Sequence, residues 1–103
     1  MNRRPDIVAK VWFYSTEEGG RKGPTPPTIY ICPLEFEGEK FDCGLHLERS
    51  GPMIPGATGT IPITFLFPEL IKPRLKVGSR FTLWEMRTIA EGIVEEVMDD
   101  YTL

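Results

Sequence analysis

The chain has 103 residues, of which 41% are hydrophobic, so it has room for one domain with a single core and is too short for two. Its net charge of -3 argues against nucleic-acid binding, which more often goes with a basic excess, but leaves a local basic patch open. No stretch reaches the roughly 20 apolar residues of a membrane-spanning helix, and no apolar run follows the N-terminal arginines as in a secretory signal, so we expect a cytoplasmic protein.

The first predicted element is a strand over residues 7–15, where apolar and mixed positions alternate. One face carries Ile7, Ala9, Val11 and Phe13, and the other carries Val8, Lys10, Trp12 and Tyr14. Gly19 and Gly20 follow and indicate a turn or a bulge, because glycine accepts positive φ angles. We assign residues 1–6 to an N-terminal tail, 7–97 to one β domain and 98–103 to an acidic C-terminal tail.

Two further strands are predicted next. Residues 28–36 form the second strand, and Pro33 indicates a bulge or an edge there because proline cannot donate to a ladder. A tight turn is expected at residues 37–39. Residues 41–48 then alternate between a core face with Phe41, Cys43, Leu45 and Leu47 and a wet face, on which His46 is expected to point towards solvent or a partner.

The two cysteines, Cys32 and Cys43, form no disulfide framework. With His46 they are one ligand short of a structural zinc set, unless Asp42 joins them. Both lie in apolar strand-like runs, so the sequence predicts buried free thiols and no metal.

The fourth strand face contains Ile61, Ile63, Phe65 and Phe67, and a connection at residues 73–78 leads to a short strand at 79–85. The last element is ambiguous, because apolar residues from Ile89 to Val97 recur at helical spacing. Gly92 disfavours a helix by about 1 kcal/mol relative to alanine. A closing strand would also remove an exposed sheet edge, so we predict a strand.

No motif for catalysis is present. The glycine pair belongs to neither a phosphate loop nor a dinucleotide fingerprint. The single histidine would have to perform every proton transfer, and Glu17 and Glu18 are neighbours that a strand would point to opposite faces. We therefore expect no enzyme, no cofactor and no small-molecule substrate.

Five collinear blocks resemble the third, C-terminal β-barrel domain of elongation factor Tu, and the match covers residues 7–97. The blocks are Glu17 to Arg21, Met53 to Gly56, Leu70 to Pro73, Arg80 with Phe81, and Glu85 with Arg87, Thr88 and Gly92. The resemblance implies an all-β fold, a closed six-stranded antiparallel Greek-key barrel, and ancestry shared with a translation factor. No GTPase domain accompanies the barrel in this sequence.

The resemblance also implies two candidate surfaces. The surface that faces the GTPase domain in the family, extended by the outward positions beside it, gives these candidate partner-binding residues: Gly19, Gly20, Arg21, Lys22, Arg80, Thr82, Trp84, Glu85 and Arg87. The surface that touches transfer RNA aligns with Thr28, Glu37 and Glu85, and only Glu85 matches the family.

The leading hypothesis is a protein-binding module that docks on a GTPase or another translation component. The alternatives are an RNA-binding module of the translation system and a fold-only relic or element of a larger assembly. Arg21 and Arg87 are treated as exposed charges, whose substitution is expected to weaken a partner and to leave folding nearly unchanged.

Overall fold

The computed structural model describes residues 4–98, which form six strands and two single-turn 3-10 helices. The strands are β1 (Ile7–Phe13), β2 (Ile29–Phe36), β3 (Glu39–His46), β4 (Thr58–Phe65), β5 (Arg80–Trp84) and β6 (Thr88–Val97). The two short helices, Pro68–Leu70 and Lys72–Arg74, lie between β4 and β5. The two predicted tails lie outside or at the ends of this described range.

The six strands form a closed antiparallel barrel in the order β1-β4-β3-β2-β5-β6. The strands β2, β3 and β4 follow one another as neighbours, and β1 lies beside β4, which is a Greek-key arrangement. The predicted fold is therefore confirmed. Closure occurs at β1, which pairs with both β4 and β6.

Alternation of side chains explains the core. In β1 the buried and less buried positions alternate along the strand, as the sequence predicts. Among the residues predicted on the inward strand faces, these are buried: Ile7, Val11, Phe13, Leu45, Leu47, Ile61, Ile63 and Phe65. Phe81 of β5 is buried with them. The prediction for Phe67 is wrong, because β4 ends at Phe65 and the Phe67 side chain is 54% exposed beyond it.

The turn between β2 and β3 is confirmed as a tight hairpin. Glu37 and Gly38 have φ angles of 51° and 82°. Two consecutive positive φ angles are typical of the type I′ turn, whose twist matches that of the flanking strands. Pro33 causes no register shift with β3, so of the two predicted outcomes the structure has an edge and no bulge.

The ambiguous last element is a strand, as predicted. Gly92 is buried opposite Phe81 of β5, and a Cβ atom on Gly92 would lie 2.3 Å from the Phe81 ring. The ring thus occupies the space that a side chain at position 92 would need. Gly92, which would weaken a helix, is therefore required here by the packing of β6 against β5.

The prediction for His46 is wrong. Its side chain is only 15% exposed, and Nε2 lies 2.7 Å from Oγ1 of the buried Thr64 on β4. Alternation places His46 correctly on the outer face of β3, but the neighbouring strand covers that face. No helix within residues 4–98 is long and apolar enough to cross a membrane.

Candidate functional site

The glycine pair forms a turn that depends on both residues. The N–H of Gly20 donates to the carbonyl of Ser15 at 2.8 Å, and Gly19 has a φ angle of 96°. A Cβ atom on Gly20 would lie 2.1 Å from the carbonyl oxygen of Tyr14. Any larger residue at position 20 would therefore displace the backbone at the end of β1.

Arg21 leaves this turn and is held by a network of hydrogen bonds. Its guanidinium donates to the Tyr30 hydroxyl at 3.1 Å, to the Pro24 carbonyl at 2.9 Å and to the Gly23 carbonyl at 3.3 Å. It also forms an ion pair with Glu85 after β5. The Arg21 side chain is only 19% exposed, so the expectation of a free surface charge is wrong.

Tyr30 completes this network from β2. Its hydroxyl donates to the Glu85 carboxylate, and the Arg21 guanidinium lies 5.0 Å from the centre of its ring. Burial, followed by the hydrogen bond to Glu85, raises the pKa of Tyr30 well above its usual value. Burial opposes the charge of Arg21, but its contacts with Tyr30 and Glu85 raise its pKa overall. The network is therefore a neutral phenol between a fixed cation and its carboxylate partner.

Arg87 connects the turn after β5 to the glycine turn. Its Nε donates to the Gly19 carbonyl at 2.6 Å, and its Nη2 donates to the Gly20 carbonyl at 3.2 Å. Both acceptors are neutral, so these bonds position Arg87 without neutralising it. Met86 occupies the tip of the same turn with a φ angle of 63° and is 86% exposed.

An open groove of about 400 Å³ separates β2 from this turn. Ile31 forms one wall and is 62% exposed, and Trp84 and Met86 form the opposite wall. The Lys40 ammonium lies 5.0 Å from the centre of the Trp84 ring. Trp84, one of the candidate partner-binding residues, thus lies on the outer surface and is partly exposed.

A second depression of about 390 Å³ lies on the other side of Met86. Its lining carries the cations Arg21, Lys22 and Arg87 and one anion, Glu85. Lys22 is exposed and has no ion-pair or hydrogen-bond partner among residues 4–98. The lining of this depression is therefore cationic, although the whole chain is acidic.

The remaining predicted partner residues lie further along β5. Arg80 and Thr82 face outward at its start, in a separate depression that Glu35 and Glu37 also line. Along β5 they precede Trp84 of the groove by two and four residues, which corresponds to about 7 Å for Thr82 and about 13 Å for Arg80. The structure thus brings seven of the nine predicted residues together around Met86 and leaves these two at a distance.

The three residues of the alternative RNA surface are not brought together. Thr28 precedes β2 and Glu37 follows it, so the whole strand, about 25 Å long, separates them. Glu37 forms an ion pair with Arg74 at 2.8 Å, and Glu85 pairs with Arg21.

Sequence reasoning missed Ile31, Tyr30 and Met86. Ile31 was detectable as an apolar residue at an outward position of β2, two residues before Pro33. The role of Tyr30 was not, because its partners are 9 and 55 residues away. Trp12 of β1 and Tyr14, which follows this strand, have other contacts: the Tyr14 hydroxyl donates to Glu91 at 2.9 Å, and the Lys10 ammonium lies 5.4 Å from the centre of the Trp12 ring.

The cysteines are buried free thiols, as predicted. They face each other across β2 and β3, and the Cys43 thiol donates to the Cys32 carbonyl at 3.3 Å. The neighbouring Cys32 side chain, together with burial, raises the pKa of Cys43. Within the described part of the chain, no three histidine, cysteine, aspartate or glutamate residues are grouped as a metal site would require.

Comparison with known proteins does not assign this chain to a family. No protein-family model matches the sequence, and no curated protein matches it significantly.

Proposed function

We propose that this barrel is a non-catalytic protein-binding module, related in ancestry to the C-terminal barrel of elongation factor Tu. The partner docks at the end of the barrel formed by the glycine turn, residues 15–22, and the turn that carries Met86. The resemblance suggests a cytoplasmic partner, either a GTPase or another component of translation, acting in trans.

One observation carries the proposal: the groove beside Trp84 exposes apolar side chains that nothing in the described chain covers. Ile31 and Met86 are among the most exposed large hydrophobic residues of the barrel. An apolar anchor surrounded by charged residues is typical of interface hot spots. The glycine turn and Arg87 hold this surface in one conformation, which reduces the entropy that binding would cost.

Capture from a lysate of the source cell tests the proposal, with the full chain as bait and mass spectrometry as readout. Met86→Glu places a charge in the groove, and we expect it to reduce recovery of a specific partner at least about tenfold. Val77→Glu is the matched control, because Val77 is 67% exposed on another loop. Equal recovery with wild type and both variants would contradict docking at this surface.

Nuclease treatment and salt separate the alternative class. Capture through RNA phosphates would be lost after nuclease treatment and would weaken steeply with salt. A protein partner that docks on Ile31 and Met86 would survive nuclease treatment. Loss of all captured proteins on nuclease treatment would replace the proposed function with RNA binding.

A further inference from the structure

The edge of β2 that faces β5 is only partly paired. β2 pairs with β3 along its whole length, from Ile29 to Phe36. Its ladder with β5 contains only Leu34 and Glu35. Residues 29–33 therefore have a neighbouring strand on one side only, and the groove lies on the other side.

The register shows which peptide groups face the groove. The N–H of Leu47 donates to the Thr28 carbonyl at 2.8 Å, and Ile29 lies opposite His46. Hydrogen-bonded and non-bonded pairs alternate in an antiparallel ladder, so Ile29 and Ile31 direct their N–H and C=O groups away from β3. No loop or side chain among residues 4–98 is hydrogen-bonded to these groups.

Peptide groups arranged in this way accept an extended strand. Main-chain hydrogen bonds to an open sheet edge supply affinity, and pockets for alternate side chains supply specificity. The apolar side chains of Ile31 and Met86 lie on either side of the position that such a strand would occupy. Pro33 has no N–H, so the two isoleucines set the register of any added strand.

The charges next to the groove favour an acidic segment. Arg21 is neutralised by Glu85, whereas Lys22 has no partner among the described residues and Arg87 donates to neutral carbonyls. Two uncompensated cations thus line the second depression, which adjoins the groove and shares Arg21, Glu85 and Met86 with it. Complementary charge raises association rates and excludes wrongly charged partners.

We propose that the β2 edge at Ile29 and Ile31 binds an extended acidic segment of a partner protein, which adds to the barrel as an extra strand. An acidic side chain of the segment lies beside Lys22 and Arg87, and an apolar one lies between Ile31 and Met86. This inference rests on the proposed protein-binding function and specifies the chemistry of the bound segment.

Selection from a random peptide display library against the immobilised full chain tests the inference. We expect the enriched peptides to combine an acidic residue with alternating β-branched residues. Ile31→Glu should reduce the affinity of a synthesised peptide at least tenfold, and so should N-methylation of alternate backbone amides in that peptide. Val77→Glu, at a similarly exposed position, should leave the affinity unchanged.

A Lys22→Glu variant isolates the electrostatic contribution to peptide binding. Lys22 lies on the surface, and we expect the substitution to weaken the acidic peptide several-fold and to reduce the salt dependence of its binding. Equal enrichment of basic peptides would overturn the assignment of an acidic partner.

Three results would overturn strand addition. The first is a selection that enriches no peptide, and the second is a peptide affinity that neither Ile31→Glu nor N-methylation changes. The third is protection of the Ile31 amide from hydrogen exchange that rises with protein concentration, because a second copy of the chain would then occupy the edge. If strand addition fails while Met86→Glu still abolishes capture of a cellular protein, docking stands and only its mode is wrong. If the capture result fails as well, the surface itself is wrongly assigned.

Discussion

Two pairs of neighbouring strands in the barrel, each of which we call a seam, are joined by different means. Between β1 and β6, all seven residues of β1 take part in the ladder. Between β2 and β5, only two residue pairs form. The rest of that second seam is closed by side chains, through the network of Arg21, Tyr30 and Glu85.

The difference shows that a seam can hold its two strands together and still leave backbone groups accessible to a partner. A continuous ladder satisfies every peptide group and leaves no edge, which is what barrel closure normally achieves. A seam that is closed by side chains holds the strands in place, while the peptide groups of Ile29 and Ile31 that face it have no hydrogen-bond partner among residues 4–98. The proposed docking site lies where the ladder stops, and the substitutions below change one seam at a time.

The largest loss of stability is expected from a substitution in β6. Gly92→Ala places a methyl group against the buried Phe81 ring, which the neighbouring strands confine. Overpacking of this kind usually costs about 1–3 kcal/mol, so we expect a loss of about 2–3 kcal/mol in the free energy of unfolding, measured by urea denaturation. Adding Phe81→Leu should recover part of the loss. Unchanged stability in Gly92→Ala would mean that the ring moves freely.

A smaller loss is expected at the seam that side chains close. Arg21→Gln removes the ion pair with Glu85 and most of the hydrogen bonds that hold the loop against β2, and we expect a loss of about 1.5–2.5 kcal/mol. Lys22→Gln, at the next position, is the control and should change stability by less than about 0.5 kcal/mol. Equal effects of the two substitutions would contradict a structural role for Arg21.

The pH dependence of stability gives the smallest effect. The folded protein raises the pKa of Tyr30 above its usual value. The stabilising contribution of the neutral phenol is therefore complete below about pH 10, the usual pKa of tyrosine, and is lost as the pH rises above it.

We expect the free energy of unfolding to fall less steeply between about pH 9 and about pH 11 in Tyr30→Phe than in the wild type. Tyr14 and Cys43, whose pKa values are also raised, contribute equally to both proteins. Identical slopes would show that the Tyr30 hydroxyl is not held in the network.

The sequence predicts the barrel because apolar residues alternate along most of its strands and every connection except the β5–β6 turn contains a glycine. Leu45 and Phe65 are buried for reasons that a short window of sequence contains. His46 and Phe67 were predicted wrongly because their exposure depends on where a neighbouring strand lies and where β4 ends, and neither is a local property.

The candidate site was predicted in its location but not in its chemistry. The glycine turn and Arg87 lie together, as their grouping on one predicted partner-binding surface requires. The roles of Arg21 and Tyr30 follow from contacts between residues far apart in the chain, which sequence patterns do not contain. The free edge at Ile31 follows from register, and register is fixed only when all six strands are assembled.

Amide hydrogen exchange of the free protein tests the central claim most directly. At low protein concentration, the Ile29 and Ile31 amides should exchange at least about a hundredfold faster than those of Tyr30 and Cys32, while protection along β1 should be continuous. Protection of the Ile31 amide equal to that of Tyr30 in the dilute protein would mean that the second seam is closed by hydrogen bonds, and it would contradict the open edge.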